Sequence, residues 1–159
     1  MLFSKKQIGL PSVCVGKVVP LEQMPDEAFS SGMLGVGYAI EPDEGRFFSP
    51  VSGVVESVTQ SKHAYTLQSD EGLDILIHIG VDTVQMGGDG FEALVKEGQR
   101  VRAGEELARA DLARIRAHGL PTLTAVLIAN PEKIERAEFR YGAASTSDAV
   151  MCFRLCKKG

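Results

Sequence analysis

From residue 13 to residue 156 the chain sets short apolar, β-branched runs between clusters of turn-forming residues. The runs are VCVGKVV, GYAI, RFFSPVSGVVESV, HAYTLQ, LDILIHI, TAVLIA and AVMCFRLC; the turns are PDEG at 42–45, SDEG at 69–72, MGGDG at 86–90 and RAG at 102–104. Short strands at this spacing predict an all-β fold, an antiparallel sandwich or barrel-sandwich with a few short helices. The last run splits cleanly at period two, with Met151, Phe153 and Leu155 on one face and Cys152, Arg154 and Cys156 on the other. Helical patterns are few. GFEALVKEG predicts two turns with Phe91, Leu94 and Val95 on one face and Gly98 as terminator. DLARIRAHG predicts a helix capped by Asp111, with Leu112 and Ile115 inward and Gly119 ending it before Pro121. Pro131, suited to a first helical position, predicts one more turn in NPEKIERAEF. VGKVVPLEQM and VSGVVESVTQ are weakly alike, each a glycine followed by paired valines, which suggests an internal duplication.

Composition narrows the classes. The 159 residues fit one domain with a sizeable core, and 44% hydrophobic with 24% charged residues is ordinary for a globular chain. No linker or low-complexity stretch divides it, so residues 13–159 are expected to form one domain behind a flexible N-terminal arm, residues 1–12. A net charge of −4 leaves no basic footprint for nucleic acid. No apolar run approaches the ~20 residues that span a bilayer, and MLFSKKQIGLP lacks the marks of a signal peptide. The three cysteines, Cys14, Cys152 and Cys156, make an odd count with no CxxC, which points to a reducing, cytoplasmic setting.

The chemistry gathers around two histidines. Taken as a hairpin turning at SDEG with Asp70 and Glu71 as its loop, SKHAYTLQSDEGLDILIHIG pairs residues whose numbers sum to 141, and His63 then lies directly opposite His78. A three-residue loop with a bulge at Gly72 puts the two on opposite faces instead. The sequence leaves both registers open. Facing imidazoles suit phosphoryl transfer: a neutral ring is a good nucleophile towards phosphorus, its pKa lies near neutrality, and a second ring can hydrogen-bond the phosphoryl oxygens. Ser61, two residues before His63, projects to the same strand face in this reading and can orient that ring. The bland alternative is a structural His78 in an apolar strand. Zinc at His63 and His78 is a weak rival, because no third ligand is suitably spaced and Asp82 is the only nearby candidate. His118, beside Arg114 and Arg116, reads as a solvated surface residue.

The run LIHIGVDTVQMGGDGFEALVKEGQRVRAGEEL, with GVGYAIEP, FFSPVSGVV, SKHA and LPTLTAVLIAN, closely resembles the glucose-type enzyme IIA proteins of the bacterial phosphoenolpyruvate-dependent sugar phosphotransferase system. The resemblance spans roughly residues 13–156. It implies a phosphotransferase component with an antiparallel β-sandwich fold and no cofactor beyond a covalent phosphoryl group on His78. That group would come from the histidine phosphocarrier protein HPr and pass to a cysteine of the enzyme IIB domain of a sugar permease, with at most peripheral membrane contact through the permease. By the same resemblance, His63 hydrogen-bonds the phosphate and serves onward transfer, Ser61 stands for a threonine that steadies His63, and Asp82 meets partner arginines. Met33, Leu34, Leu76 and Val84 fall at positions of an apolar docking rim, which shields the phosphohistidine from water. The chain departs from the family pattern in keeping only Gly16 of an Ala-Pro-x-x-Gly element, in Leu76 where some members have Phe, and in Thr59 where a rim aromatic stands. Val36 and Tyr38 also differ.

Three alternatives belong to the same scaffold. A biotin or lipoyl carrier needs an acceptor lysine in a turn such as Met-Lys-Met, and a zinc hydrolase needs a His-x-His element and a ligand Asp; the chain has neither. A regulatory binding module that merely keeps the fold would not be expected to retain both His63 and His78.

Overall fold

The computed structural model describes residues 7–156. In chain order the strands are β1 (Gln7–Pro11), β2 (Gly16–Pro20), β3 (Val36–Pro42), β4 (Arg46–Phe48), β5 (Gly53–Val58), β6 (Ala64–Ser69) and β7 (Asp74–His78). They continue as β8 (Phe91–Ala93), β9 (Arg100–Val101), β10 (Glu106–Ala110), β11 (Thr124–Ile128), β12 (Ile134–Phe139), β13 (Gly142–Ala144) and β14 (Ala149–Leu155). Two short α-helices, α1 (Glu27–Ser30) and α2 (Leu112–Ala117), complete the described part with three 3₁₀ turns.

An eight-stranded sheet runs β13-β2-β3-β11-β7-β6-β5-β9, accompanied by the three-stranded sheets β4-β10-β8 and β1-β14-β12. Every strand pair is antiparallel. The all-β expectation therefore holds, and the physical cause is period-two burial: β7 reads half-buried, buried, half-buried, buried, half-buried along Asp74–His78. The large sheet has mirrored halves, β13-β2-β3-β11 and β9-β5-β6-β7, and the two weakly alike segments supply the equivalent strands β2 and β5.

The main core packs Tyr38, Phe47, Tyr65, Leu67, Leu107 and Phe153 with many aliphatics from all three sheets. A second, smaller cluster of Leu21, Met24, Phe29, Ala39, Val81, Ala125 and Leu127 lies under α1, and Leu76 packs against it. This small core fixes the floor of the site described below.

Several expectations are corrected. GFEALVKEG is not a helix: Phe91–Ala93 form β8, paired with β10, because that neighbour offers ladder bonds that a two-turn helix cannot match alone. The expected arm 1–12 is ordered from residue 7 onward, where Gln7 pairs with Arg154 and Leu10 with Met151 along β14; residues 1–6 lie outside the described residues. By contrast α2 forms where expected, with the Asp111 side chain accepting from the Arg114 amide and Ile115 fully buried. Pro131 opens a 3₁₀ turn that leads into β12. Cys14 is buried, Cys152 and Cys156 are half-buried, and all three are free thiols.

Candidate functional site

His78 ends β7, with Ala64 of β6 opposite it on one side and Ala125 of β11 on the other. Two alanines leave room above the sheet for an imidazole. The chain then turns through Gly80, whose φ of +74° is a left-handed value, and a Cβ there would meet Thr83 Cγ2 at 2.6 Å. This tight turn brings the Gly80 carbonyl back to His78, and Nδ1–H donates to it at 2.8 Å. The carbonyl only accepts, so the proton is assigned to Nδ1 and the lone pair to Nε2.

The pairing Ala64↔His78 overturns the sum-141 register. The hairpin loop is Asp70-Glu71-Gly72, the three-residue alternative, with Gly72 at φ +89°. Yet the histidines do meet: the rings stand 4.9 Å apart between centroids at 79°, edge to face. The reason is that His63 is not a strand residue. It precedes β6 in a turn in which Lys62 is left-handed at φ 62°, so strand alternation does not dictate where its side chain goes. Ser61 lies in the same turn rather than on a strand face, but its Oγ is 2.7 Å from His63 Nδ1. The His63 carbonyl accepts from the Ile79 amide at 2.8 Å, tying this turn to the end of β7.

Burial sets the electrostatics. His63 is only 6% exposed, and desolvation, then the neighbouring His78, lower its pKa to about 4. Desolvation also lowers the pKa of His78, opposed by the Gly80 hydrogen bond and by the charges of Asp26 and Asp82. Both rings are therefore neutral near pH 7. Asp26 caps α1 by accepting from the Ala28 amide at 2.9 Å. Asp82 is exposed and left-handed at φ 60°.

An open depression of about 480 Å³ is lined by Thr59, Gln60, Ser61, His63, Val84 and Gly87. Val84 is 58% exposed, Met33 78% and Leu34 37%, while Leu76 is half-buried. Met33 and Leu34 follow α1, whose Phe29 ring lies 5.0 Å from the His78 ring. His118 sits apart, capping α2 and facing Asp89 at 3.5 Å.

Sequence reasoning missed Phe29, Asp26 and the carbonyl of Gly80, and it read Thr59 only as a rim position. The Thr59 Oγ1 accepts from the amides of His63 and Ala64, both at 3.1 Å, and lies 3.2 Å from His63 Nδ1. A hydroxyl four residues before a histidine was the available signal. Among the described residues no group of three or more His, Cys, Asp or Glu side chains stands together as a metal site, so the zinc-hydrolase alternative lacks a donor set.

The sequence pattern of the phosphoenolpyruvate-dependent sugar phosphotransferase system, EIIA 1, matches residues 8–134. The chain belongs to this family. It is a phosphocarrier component of the phosphotransferase system, a phosphotransferase that acts through histidine. The chain is 39% identical over 143 residues to the PTS system glucose-specific EIIA component of Bacillus cereus, covering 90% of this chain and 87% of that one. It is 44% identical over 140 residues to the PTS system glucose-specific EIICBA component of Streptococcus pneumoniae, covering 87% of this chain but only 19% of that longer protein. Among solved structures, glucose permease IIA from Mycoplasma capricolum matches with a TM-score of 0.89 and 33% identity, over 96% of this chain and 99% of that one. No helix of the described residues is long and apolar enough to cross a membrane.

Proposed function

We propose that this EIIA protein carries its phosphoryl group on His78 Nε2, receives it from HPr and passes it to the IIB domain of a glucose-type permease at the cytoplasmic face of the membrane. The observation that carries the reading is the Nδ1–H bond of His78 to the Gly80 carbonyl, beside a second, buried imidazole. The lone pair on Nε2 attacks phosphorus, forming the new N–P bond as the N–P bond of the donor phosphohistidine breaks and its electron pair returns to the donor ring. The His78 ring gains positive charge in that step. The Gly80 carbonyl, Asp26 and Asp82 all favour that charge.

His63 acts on the phosphoryl oxygens. With Nδ1 accepting from the Ser61 hydroxyl, its proton lies on Nε2, and a neutral donor suits an anionic group without trapping it as a full cation would. Onward transfer reverses the first step: the IIB thiolate attacks phosphorus, the N–P bond breaks and Nε2 recovers its lone pair. Met33, Leu34, Leu76 and Val84 form the docking rim that excludes water while the group moves, and Asp82 meets a cationic partner side chain. The fused EIICBA relative supports the permease partner, and the glucose-specific relatives support the sugar.

The test is reconstitution with phosphoenolpyruvate, enzyme I and HPr, reading acid-labile phosphate on the chain. The expected result is no label on His78→Gln, whereas His63→Gln accepts label but fails to pass it to IIB. Wild-type labelling of His78→Gln would overturn the assignment.

A further inference from the structure

The turn that presents His63 holds two hydroxyls, and they are placed differently. Ser61 Oγ stands 2.7 Å from His63 Nδ1. Thr59 Oγ1 accepts from the amides of His63 and Ala64 at 3.1 Å each, which occupies its two lone pairs. Its single proton then has two acceptors in reach, the Ala64 carbonyl at 3.4 Å and His63 Nδ1 at 3.2 Å. The Thr59 backbone closes the same turn: its carbonyl accepts from the Lys62 amide at 2.8 Å and its amide donates to the Ala64 carbonyl at 3.1 Å.

We propose that Thr59 is a second positioning residue for His63, holding the backbone that sets the ring's place and standing in reserve for Ser61 as the hydroxyl donor to Nδ1. This rests on the reading of His63 as the phosphate-binding histidine. With Nδ1 accepting, the ring proton lies on Nε2, where it faces phosphoryl oxygen; with the tautomer reversed, a lone pair faces an anion and the contact turns repulsive. One hydroxyl suffices to hold the tautomer. A half-buried Thr59 whose hydroxyl rotates from the Ala64 carbonyl to Nδ1 preserves it when Ser61 is lost. Thr59 differs from Ser61 in a second respect: removing its hydroxyl also leaves two amides without their acceptor, at a turn that already contains a left-handed lysine.

The test compares Ser61→Ala, Thr59→Val, Thr59→Ser and the Ser61→Ala/Thr59→Val double variant in the full chain. Two readouts are taken: onward transfer from the phosphorylated protein to a IIB domain, and the ¹⁵N chemical shifts of the His63 ring. Ser61→Ala is expected to lose only about threefold in onward transfer, with Nδ1 keeping the shift of an acceptor nitrogen. Thr59→Val is expected to lose about tenfold in onward transfer, more than it loses in accepting phosphate, because a displaced ring misses the phosphoryl oxygens. The double variant falls below the product of the two single effects, with the Nδ1 shift moving to that of a protonated nitrogen, whereas Thr59→Ser keeps wild-type transfer and the acceptor shift of Nδ1.

A complete tautomer reversal in Ser61→Ala alone would overturn the proposal, and this arm stands even if Thr59→Val fails to fold. Unchanged onward transfer in folded Thr59→Val would overturn it as well. His63→Gln separates this from the parent reading. Wild-type onward transfer there removes the role of His63 itself, whereas loss of transfer there with a silent Thr59→Val removes only the role of Thr59.

Discussion

Strand β6 is bounded by two turns with the same frame. In Ser69-Asp70-Glu71-Gly72-Leu73 the Ser69 Oγ accepts from the Leu73 amide at 3.0 Å, the Ser69 carbonyl accepts from the Gly72 amide at 2.9 Å, and Gly72 is left-handed. In Thr59-Gln60-Ser61-Lys62-His63 the Thr59 Oγ1 accepts from the His63 amide at 3.1 Å, the Thr59 carbonyl accepts from the Lys62 amide at 2.8 Å, and Lys62 is left-handed. The first delivers a leucine to the core. The second delivers a buried imidazole to the edge of a depression, with a non-glycine residue in the left-handed position and an extra hydroxyl on the ring. A chain reversal thus becomes part of a site by changing its fifth residue and adding one hydroxyl, while the hydroxyl and carbonyl of its first residue keep the same amide partners at the fifth and fourth positions.

The fifth residues give the largest contrast. Leu73→Ala removes a fully buried side chain and is expected to cost about 3 kcal/mol of stability in denaturant unfolding, with onward transfer per folded molecule unchanged. His63→Gln is expected to reverse that pattern, with onward transfer down about a hundredfold and stability changed by about 1 kcal/mol or less. Equal stability losses at the two positions would break the comparison.

Acid should single out the turn that carries His63. His63 has a folded pKa of about 4 against an ordinary value near 6.5, so the unfolded chain binds its proton first as pH falls. The stabilising contribution is full above about pH 6.5 and is lost as pH falls towards 4, an effect of about 3 kcal/mol. His78 is shifted in the same direction. Thermal melts between pH 7 and 4.5 should show Tm falling, with a shallower fall in His63→Gln; an identical slope in that variant would refute the assignment.

The smallest contrast concerns the left-handed fourth residues. Gly72→Ala places a Cβ at φ +89° and is expected to cost about 1 kcal/mol, whereas Lys62→Gly relieves the same conformation and is expected to gain about 0.5–1 kcal/mol. Urea midpoints measure both, and a loss in Lys62→Gly would mean that Lys62 makes compensating contacts.

These turns also mark how far the sequence could be read. β7 was legible in LDILIHI and β6 in HAYTLQ because alternation within a strand is a local property of covalent geometry. The turn at SDEG was legible as a turn but not as a three-residue loop, since Gly72 can serve either hairpin. That single residue of register moved the partner of His78 from His63 to Ala64. Thr59 escaped because its work is a set of backbone hydrogen bonds whose existence depends on the left-handed Lys62. Phe29 escaped because nothing local shows that α1 folds over the end of β7.

By itself the sequence determined the β architecture, the family, and the presence of two histidines, a nearby hydroxyl and an acid in an ordered motif, all of which follow from side-chain identity and short-range periodicity. Only the tertiary structure decided that the two rings meet edge to face, that Gly80 assigns the His78 proton to Nδ1, and that burial keeps both rings neutral. Those outcomes depend on strand register, on left-handed turn residues and on exclusion from water, and each arises only when distant segments pack together.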